Sequence, residues 1–227
     1  MSALGPRDVW ALVTCHQEAP GDALLARLLN VLPRVLVVDD AMPSTEALAL
    51  DSHAPGLGIE VLHLPRHAGK GHAIEAGLRW LRERDPGLRG VLVIDGDGQH
   101  PPERVPDFLA ASAVAELVIG NRFACARDMP IVRRVANRVA NRVLTRRTGT
   151  PMLDSQCGMR LLHGRALDDV AFAGGGYEAE TLHLKRCVGA AVPVGWVDIP
   201  AIYDGQPSSF RHVRDSAAVL RAAIASE

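Results

Sequence analysis

Two aspartates one residue apart, Asp95 and Asp97, stand in the stretch VLVIDGDGQHPP over residues 91–102. The branched aliphatics Val91 to Ile94 are a short apolar run of the kind that forms a fully buried strand. The Asp-Gly-Asp-Gly that follows has the composition of the turn at that strand's carboxyl end. In an open α/β sheet that end is where ligands bind. Two carboxylates there repel each other, and no Lys or Arg adjacent in sequence neutralises them. A hard divalent cation relieves the repulsion, and Mg²⁺ takes one or two carboxylates together with substrate phosphates. The plain alternative is a solvated Asp-Gly turn.

Other residues carry related chemistry. Asp39-Asp40 ends a second aliphatic run, Val35–Val38, where a carboxylate accepts hydrogen bonds from a base N–H or a ribose hydroxyl, or caps a turn. Gly69-Lys70-Gly71 precedes a helical pattern, and a helix N-terminus is an anion site. It lacks the GxxxxGK[ST] spacing of a P-loop. Arg133, Arg134, Arg138, Arg142, Arg146 and Arg147 occur with no acid between Met129 and Leu153. A solvated helix face is one reading of such a run. Like charges four apart destabilise a helix modestly, and an anionic lipid headgroup or lipid phosphate would offset that. Arg also clamps phosphate with two parallel hydrogen bonds. Asp154, Gln156, Glu178 and Glu180 are candidates to deprotonate a hydroxyl acceptor.

The elements that must position these groups alternate. Strands are expected at Val9–Val13, Val35–Val38, Ile59–Leu64, Val91–Ile94 and Leu117–Ile119, and helices at Asp22–Leu32, Ser44–Leu50 and Gly71–Arg84. Short strands alternating with helices make βαβ units and a mostly parallel sheet flanked by helices. Beyond residue 130 a long helix is expected over 131–148, with Ile131, Val135, Val139 and Val143 recurring every four residues. Residues 149–157 read as loop, Cys157–Leu162 and Val192–Ile199 as strands, Tyr177–Val188 as a helix and the tail from Arg211 as an amphipathic helix. No Pro/Gly/Ser-rich linker divides the chain. One α/β domain over 1–227 is expected, with a nucleotide-binding half to about residue 100 and an acceptor half over about 101–227.

Composition narrows the function classes. A formal charge of −1 over 227 residues gives no global pull toward nucleic acid, and no nucleic-acid partner is expected. The four cysteines are scattered without a CxxC, so neither a disulfide framework nor a zinc site is implied. The nine histidines form no HExxH or HxH pairing. No apolar run is long enough to span a bilayer, and the first residues lack a signal peptide's charged and apolar regions. The expectation is a cytoplasmic protein, peripheral on the cytoplasmic membrane face, without a transmembrane helix. A dinucleotide dehydrogenase is disfavoured because no GxGxxG follows the first strand.

The blocks DGDGQHPP over 95–102, DSQCGMR over 154–160 and Ser209-Phe210-Arg211, in this order and spacing, resemble the family 2 glycosyltransferases. Within them the chain is similar to the dolichyl- or polyprenyl-phosphate mannosyl- and glucosyltransferase branch, from about Val9 to Asp215. Val37 to Asp40, Gly69 to Gly71 and Gly120 to Arg122 add weaker matches. The resemblance implies a single GT-A domain that binds a nucleotide-diphosphate sugar at its strand ends with Mg²⁺ or Mn²⁺. It implies that Asp95 and Asp97 hold the metal and the diphosphate. Glu18, Asp40, Lys70, Gln99 and Ser209 would serve the donor, with Asp40 near the base or ribose. Asp154 and Gln156 would belong to the site, and Arg122, Arg133 and Arg211 would meet donor or acceptor phosphates. Members often carry a membrane anchor or pair with a membrane subunit, so a separate membrane subunit is a further expectation.

Three departures fall in the implied base and ribose pocket. A usual Tyr-Asn-Glu is His16-Gln17-Glu18, a usual Asp-Asp-Gly-Ser is Asp39-Asp40-Ala41-Met42, and an Asn before Gly-Lys-Gly is His67. The leading expectation is an inverting, metal-dependent transfer of a hexose, from a donor of the GDP-mannose or UDP-glucose type, to a polyprenyl or dolichyl phosphate. Such a phosphate is mostly dianionic at neutral pH and needs cations to hold it, not a base. The alternatives are a soluble hydroxyl acceptor, which needs a base, and a nucleotide-sugar-binding module without turnover.

Overall fold

The computed structural model describes residues 2–202 apart from 126–128, 130, 170, 173 and 177. Ser209, Arg211 and the expected tail helix lie outside the described residues, as does the side chain of Arg133. The first half alternates as its aliphatic runs require: β1 (Val9–Cys15), α1 (Asp22–Leu29), β2 (Val35–Asp39), α2 (Ser44–Leu57), β3 (Glu60–His63), α3 (Lys70–Arg84) and β4 (Gly90–Asp95). The second half adds α4 (Val105–Ala111), β5 (Leu117–Cys125), α5 (Ile131–Thr148), β6 (Arg160–His163), α6 (Arg165–Asp168), α7 (Ala179–Gly189) and β7 (Val194–Pro200).

All seven strands form one sheet in the order β3-β2-β1-β4-β6-β5-β7. β1 runs parallel to β2 and β4, and β2 to β3. β6 enters antiparallel between β4 and β5, while β7 is parallel to β5. Every residue of β2 is buried, as are Val91 to Ile94, because helices cover both faces of these central strands. The chain steps outward from β1 to β3, then returns through α3 to place β4 on the other side of β1. That reversal opens a crevice beyond the carboxyl ends of β1 and β4. α3 lies close on the sheet, burying Ala73, Ile74, Leu78 and Leu81. Gly77 makes the approach possible: a Cβ there would stand 2.6 Å from Leu12 Cδ1 and 2.8 Å from Val38 Cγ2.

Several boundaries differ from expectation for physical reasons. α2 continues past Leu50 to Leu57 despite Pro55, and Gly58 ends it at φ 71° with its N–H donated to the carbonyls of Ala54 and Pro55. The segment buries only Leu50 and Ala54, so it offered little apolar periodicity. α4 was hidden by its prolines, yet Pro106 lies in its first turn, where a fixed φ and a missing N–H are tolerated. β6 begins at Arg160 instead of Cys157, and α7 at Ala179 instead of Tyr177.

The face that α5 turns inward is partly polar. Ala140 and Leu144 are buried together with Asn137 and Asn141, whereas Ile131, Val135 and Val139 are exposed. Asn141 is held by the following loop: its Nδ2 donates to the Leu153 carbonyl at 2.6 Å, and its Oδ1 accepts from the Ser155 N–H and hydroxyl. The amide of Asn137 is buried with neither polar atom hydrogen-bonded among the described residues. The inward face is thus chosen by polar anchoring as much as by apolar burial.

At the end of β2, Asp39 Oδ1 accepts the Met42 N–H at 2.6 Å, and the turn puts Ala41 at φ 58°. A left-handed conformation costs an L-residue roughly 1–2 kcal/mol, part of which Gly would lose again through its freer unfolded chain. Ala41→Gly is therefore expected to stabilise the fold by about 0.5–1 kcal/mol, a rise of about 1–4 °C in thermal melting. A lowered midpoint would show that the turn is not under this strain.

Candidate active site

The β4 aspartates sit where the strand reversal opens. The Gly96 N–H donates to the Thr14 carbonyl at 3.0 Å, tying the turn to β1. A Cβ at Gly96 would lie 3.2 Å from both Cys15 Cβ and the Thr14 carbonyl oxygen, so only glycine passes without a shift. Gly98 completes the turn at φ 74°. Asp97 projects into solvent, with its Oδ1 accepting the Gln99 N–H at 3.0 Å. Gln99 is half-buried beside it.

Asp95 is placed differently. Lys70, at the start of α3, puts its Nζ 2.6 Å from Asp95 Oδ1 and also pairs with Glu180 in the first turn of α7. The absence of a neighbouring cation in sequence is thus corrected in space, because α3 crosses beside β4. Burial alone would raise the Asp95 pKa, but the Lys70 ammonium outweighs it and holds the carboxyl at about 2. Burial would likewise lower Lys70, yet the two carboxylates hold its pKa above the usual lysine value. Lys70, expected to lie near the donor nucleotide, has its ammonium engaged in an internal ion triad beside Asp95.

Glycines make this triad possible. A Cβ on Gly158 would fall 2.3 Å from Asp95 Oδ2 and 2.9 Å from Lys70 Nζ. Gly69, at φ 89°, faces the Gly175 carbonyl oxygen at a distance of 1.7 Å from a hypothetical Cβ, and Gly71 faces that of Gly174 at 2.1 Å. The loop 174–176 therefore covers the start of α3, which is not the open anion site that its glycines suggested.

The 154–160 block is built around two buried arginines. Arg160 is fully buried and donates to the carbonyls of Ser155, Cys157 and Glu180 at 2.9, 2.9 and 2.7 Å. Arg122, on β5, forks onto Asp154 through Nε at 2.7 Å and Nη2 at 2.9 Å, and its N–H adds a third bond at 3.1 Å. Both partners are buried, Asp154 completely. This corrects the expectation that Asp154 could act as a base: its carboxylate is enclosed and engaged by Arg122. Arg122 in turn holds the loop in place. Glu180 is likewise enclosed, and Glu178 caps its own loop by accepting the Gly176 N–H. Gln156 is half-buried and Glu18 exposed.

At the β2 side, Asp40 is buried and accepts the N–H groups of Ala68 and Gly69 at 2.7 and 2.8 Å. It also lies 2.9 Å from His67 Nδ1. Its carboxylate thus organises the loop before α3, at the strand end where an acceptor for a base or ribose, or a turn cap, was expected. Asp39 lies 2.7 Å from His63 Nδ1, and that hydrogen bond raises the His63 pKa. His16 and His67 stack with centroids 4.0 Å apart. Reading for local histidine motifs missed this pair, and the only sequence signal was that both depart from the resembling pattern.

The carboxylate oxygens fit a hard divalent ion. Among the described residues Asp97 accepts only its turn hydrogen bond, and Asp95 Oδ2 is not the oxygen that Lys70 engages. Nearby, His100 is buried with Nδ1 unpartnered, 3.8 Å from Asp95 Oδ2. Burial lowers the His100 pKa, which favours a neutral ring.

Comparison with known proteins agrees with this architecture. The profile of glycosyl transferase family 2 matches residues 11–171, and the chain belongs to that family. It is 42% identical over 101 residues to an undecaprenyl-phosphate mannosyltransferase of Micrococcus luteus, covering 43% of this chain and 41% of the relative. It is 31% identical over 138 residues to an undecaprenyl-phosphate 4-deoxy-4-formamido-L-arabinose transferase of Yersinia pestis, covering 59% and 40%. The chain thus spans about two fifths of the length of these curated relatives. Glucosyl-3-phosphoglycerate synthase from Mycobacterium tuberculosis, solved with Mn²⁺, uridine diphosphate and phosphoglyceric acid, superimposes with a TM-score of 0.74 at 17% identity. That alignment covers 95% of this chain and 77% of the synthase and establishes the shared GT-A fold.

The triad makes a pH-dependent prediction. Lys70→Met leaves the buried Glu180 and the half-buried Asp95 carboxylates uncompensated and is expected to cost about 3 kcal/mol near neutral pH. In the parent protein Asp95 has a depressed pKa, so its contribution is complete above the ordinary carboxylate range and lost as pH falls toward about 2. In the variant burial no longer has the Lys70 ammonium to outweigh it and raises the Asp95 pKa, so acid relieves the penalty. Denaturant melts at about pH 7.5 and about pH 5 should show the difference between the two proteins shrinking at the lower value. A difference independent of pH would contradict the triad.

Proposed function

We propose that this member of glycosyl transferase family 2 moves a hexose from a nucleotide-diphosphate sugar, of the GDP-mannose or UDP-glucose type, to a polyprenyl phosphate with inversion at the anomeric carbon. The observation that carries the reading is the Asp95–Asp97 pair at the strand-reversal crevice, with one member exposed and the other fixed by Lys70. In this reading Asp97 and Asp95, with Gln99 beside them, hold Mg²⁺ or Mn²⁺ against the donor diphosphate. The ion, when bound, acts as a Lewis acid that stabilises the charge on the departing nucleotide diphosphate.

The acceptor side is supported by α5 and by the activities of the two relatives, both undecaprenyl-phosphate transferases. A cavity of about 400 Å³ is lined by Arg138, Arg142 and Arg146 together with Phe123, Met152 and Leu153. Cationic and apolar groups on one wall suit a phosphate carried on a hydrocarbon chain. Beside it, Ile131, Val135 and Val139 present an exposed apolar ridge on a helix without a single acid. Such a face suits peripheral contact with an anionic bilayer. No helix among the described residues is long and apolar enough to cross a membrane. A dianionic acceptor attacks without surrendering a proton, which agrees with an Asp154 that is enclosed by Arg122.

Two measurements test the reading. Transfer from radiolabelled UDP- and GDP-sugars to undecaprenyl phosphate should require Mn²⁺ or Mg²⁺ and stop in EDTA. Asp97→Ala should lower it by about 10³-fold, roughly 4 kcal/mol, with little change in melting temperature. Undiminished transfer in EDTA would sink the metal role. Separately, changing Arg138, Arg142 and Arg146 to Gln should weaken binding to phosphatidylglycerol vesicles by about fivefold per residue. Binding to neutral vesicles should be unaffected, and equal loss on both would argue against a charge-based membrane face.

A further inference from the structure

We infer that His100 is a positioning residue for Asp95: its ring fixes Asp95 Oδ2 as Lys70 fixes Oδ1, so that the carboxylate plane is set when the ion binds. This role rests on the metal-bound donor reading above, which itself makes no use of His100. The residue is only 3% exposed. Its Nδ1 has no hydrogen-bond partner and stands 3.8 Å from Asp95 Oδ2. Its other nitrogen, Nε2, lies 3.8 Å from the Sγ of Cys157, which is fully buried. The imidazole therefore joins the turn after β4 to the 154–160 block, with one nitrogen toward each.

The neighbours of the ring decide which nitrogen carries the hydrogen. Asp95, ionised beside Lys70, has only lone pairs to offer. Nδ1 must therefore bring the hydrogen, and Nε2 is left to accept the Cys157 thiol proton. The thiol has that proton to give, because burial pushes its pKa up to about 11. A separation of 3.8 Å is longer than a hydrogen bond, and a shift of about 1 Å would close it. An ion that draws Asp95 Oδ2 into its shell leaves a second lone pair of that oxygen for the Nδ1–H. A buried nitrogen without a partner is costly, and an apolar side chain would fill the same space without that cost. Packing alone thus does not account for a histidine at this position.

The surroundings hold the ring in place. Pro101 and Pro102 follow it, and a residue before proline is confined to extended backbone. Gly120 on β5 makes room for the thiol, since a Cβ there would stand 2.8 Å from Cys157 Sγ. Gly158 does the same for Asp95 Oδ2. Lys70 holds Oδ1, and a carboxylate gripped through one oxygen can still swing the other. A donor at Oδ2 removes that freedom, as outer-shell hydrogen bonds do for metal-ligating carboxylates in general. In this role His100 touches neither ion nor substrate and acts through Asp95.

The experiment uses the full chain. Mn²⁺ complexes of UDP and of GDP are titrated into it calorimetrically, and the tighter one is carried through the variants. His100→Leu keeps apolar bulk but loses the donor, and should weaken binding of the complex by about 10–100-fold. His100→Asn keeps an N–H near the place of Nδ1 and should bind within about threefold of the parent. Asp97→Ala should lose the complex. Melts in EDTA check that each variant folds, and His100→Ala is a second donor-free variant should His100→Leu not fold. Parent-like binding by the donor-free variant, or a loss in His100→Asn as large as in His100→Leu, would overturn the positioning role alone when Asp97→Ala still loses the complex. A parent that binds neither complex would overturn the metal reading and this role together.

Discussion

The ammonium of Lys70 between Asp95 and Glu180 is the contact on which the site depends. It joins the start of α3, the end of β4 and the first turn of α7. A buried charge that loses its partner costs more than an ordinary contact, so the three elements can hardly separate without exposing the fault. The close backbone approaches follow from it. Gly158 leaves room for the ion pair, while Gly69 and Gly71 admit the 174–176 loop against α3. Arg160 then secures the α7 end through the Glu180 carbonyl. The nucleotide and acceptor halves suggested by the sequence share this junction, so the candidate site belongs to both.

A second constraint runs through the later half of the chain, where polar groups, not apolar ones, decide how segments face. Asn141 fastens α5 to the loop at Leu153 and Ser155, and Arg122 fastens that loop to β5 through Asp154. Turning α5 to bury Val135 and Val139 would give up these bonds. Leaving them exposed costs the hydrophobic burial of two valines, on the order of a few kcal/mol at most. The polar network wins because its members are already buried and would otherwise stand unsatisfied. The result is an apolar ridge outside, next to the arginines that a solvated helix would also expose.

Much of the fold was legible because β2 and β4 are aliphatic runs ending in Asp. Burial on both faces demands that composition, and β2 and β4 show it within a residue of their ends. The DGDG turn was legible for the same reason: the glycines and the strand end announce the backbone path, and Asp97 needs no partner to be recognised. What could not be read were pairings across the fold. Lys70 and Asp95 are 25 positions apart, Arg122 and Asp154 are 32, and both look like free charges in the linear chain. Periodicity likewise left the α5 ridge undecided, since the spacing of valines identifies a face but not the side that is covered. The stacked histidines escaped because a motif search looks for neighbours, and His16 and His67 meet only when the loops after β1 and before α3 converge.

The pairings also settle which charge is left to act. Lys70 and Arg160 offset Asp95 and Glu180, and Arg122 offsets Asp154, while His100 is driven toward its neutral form. Asp97 is then the one carboxylate of the group whose charge faces solvent without an internal counterpart among the described residues. One surplus negative charge, with a second carboxylate already shared with an ammonium, is a thin ligand set for a divalent ion. Mg²⁺ in such sites draws its remaining ligands from substrate phosphates and water. On the proposed reading, ion and diphosphate therefore complete each other's coordination, and the protein needs no closed cage. The same economy extends to the acceptor, for a lipid phosphate arrives already ionised and asks only for cations. Enclosing Asp154 and Glu180 within the fold thus removes nothing that this chemistry requires.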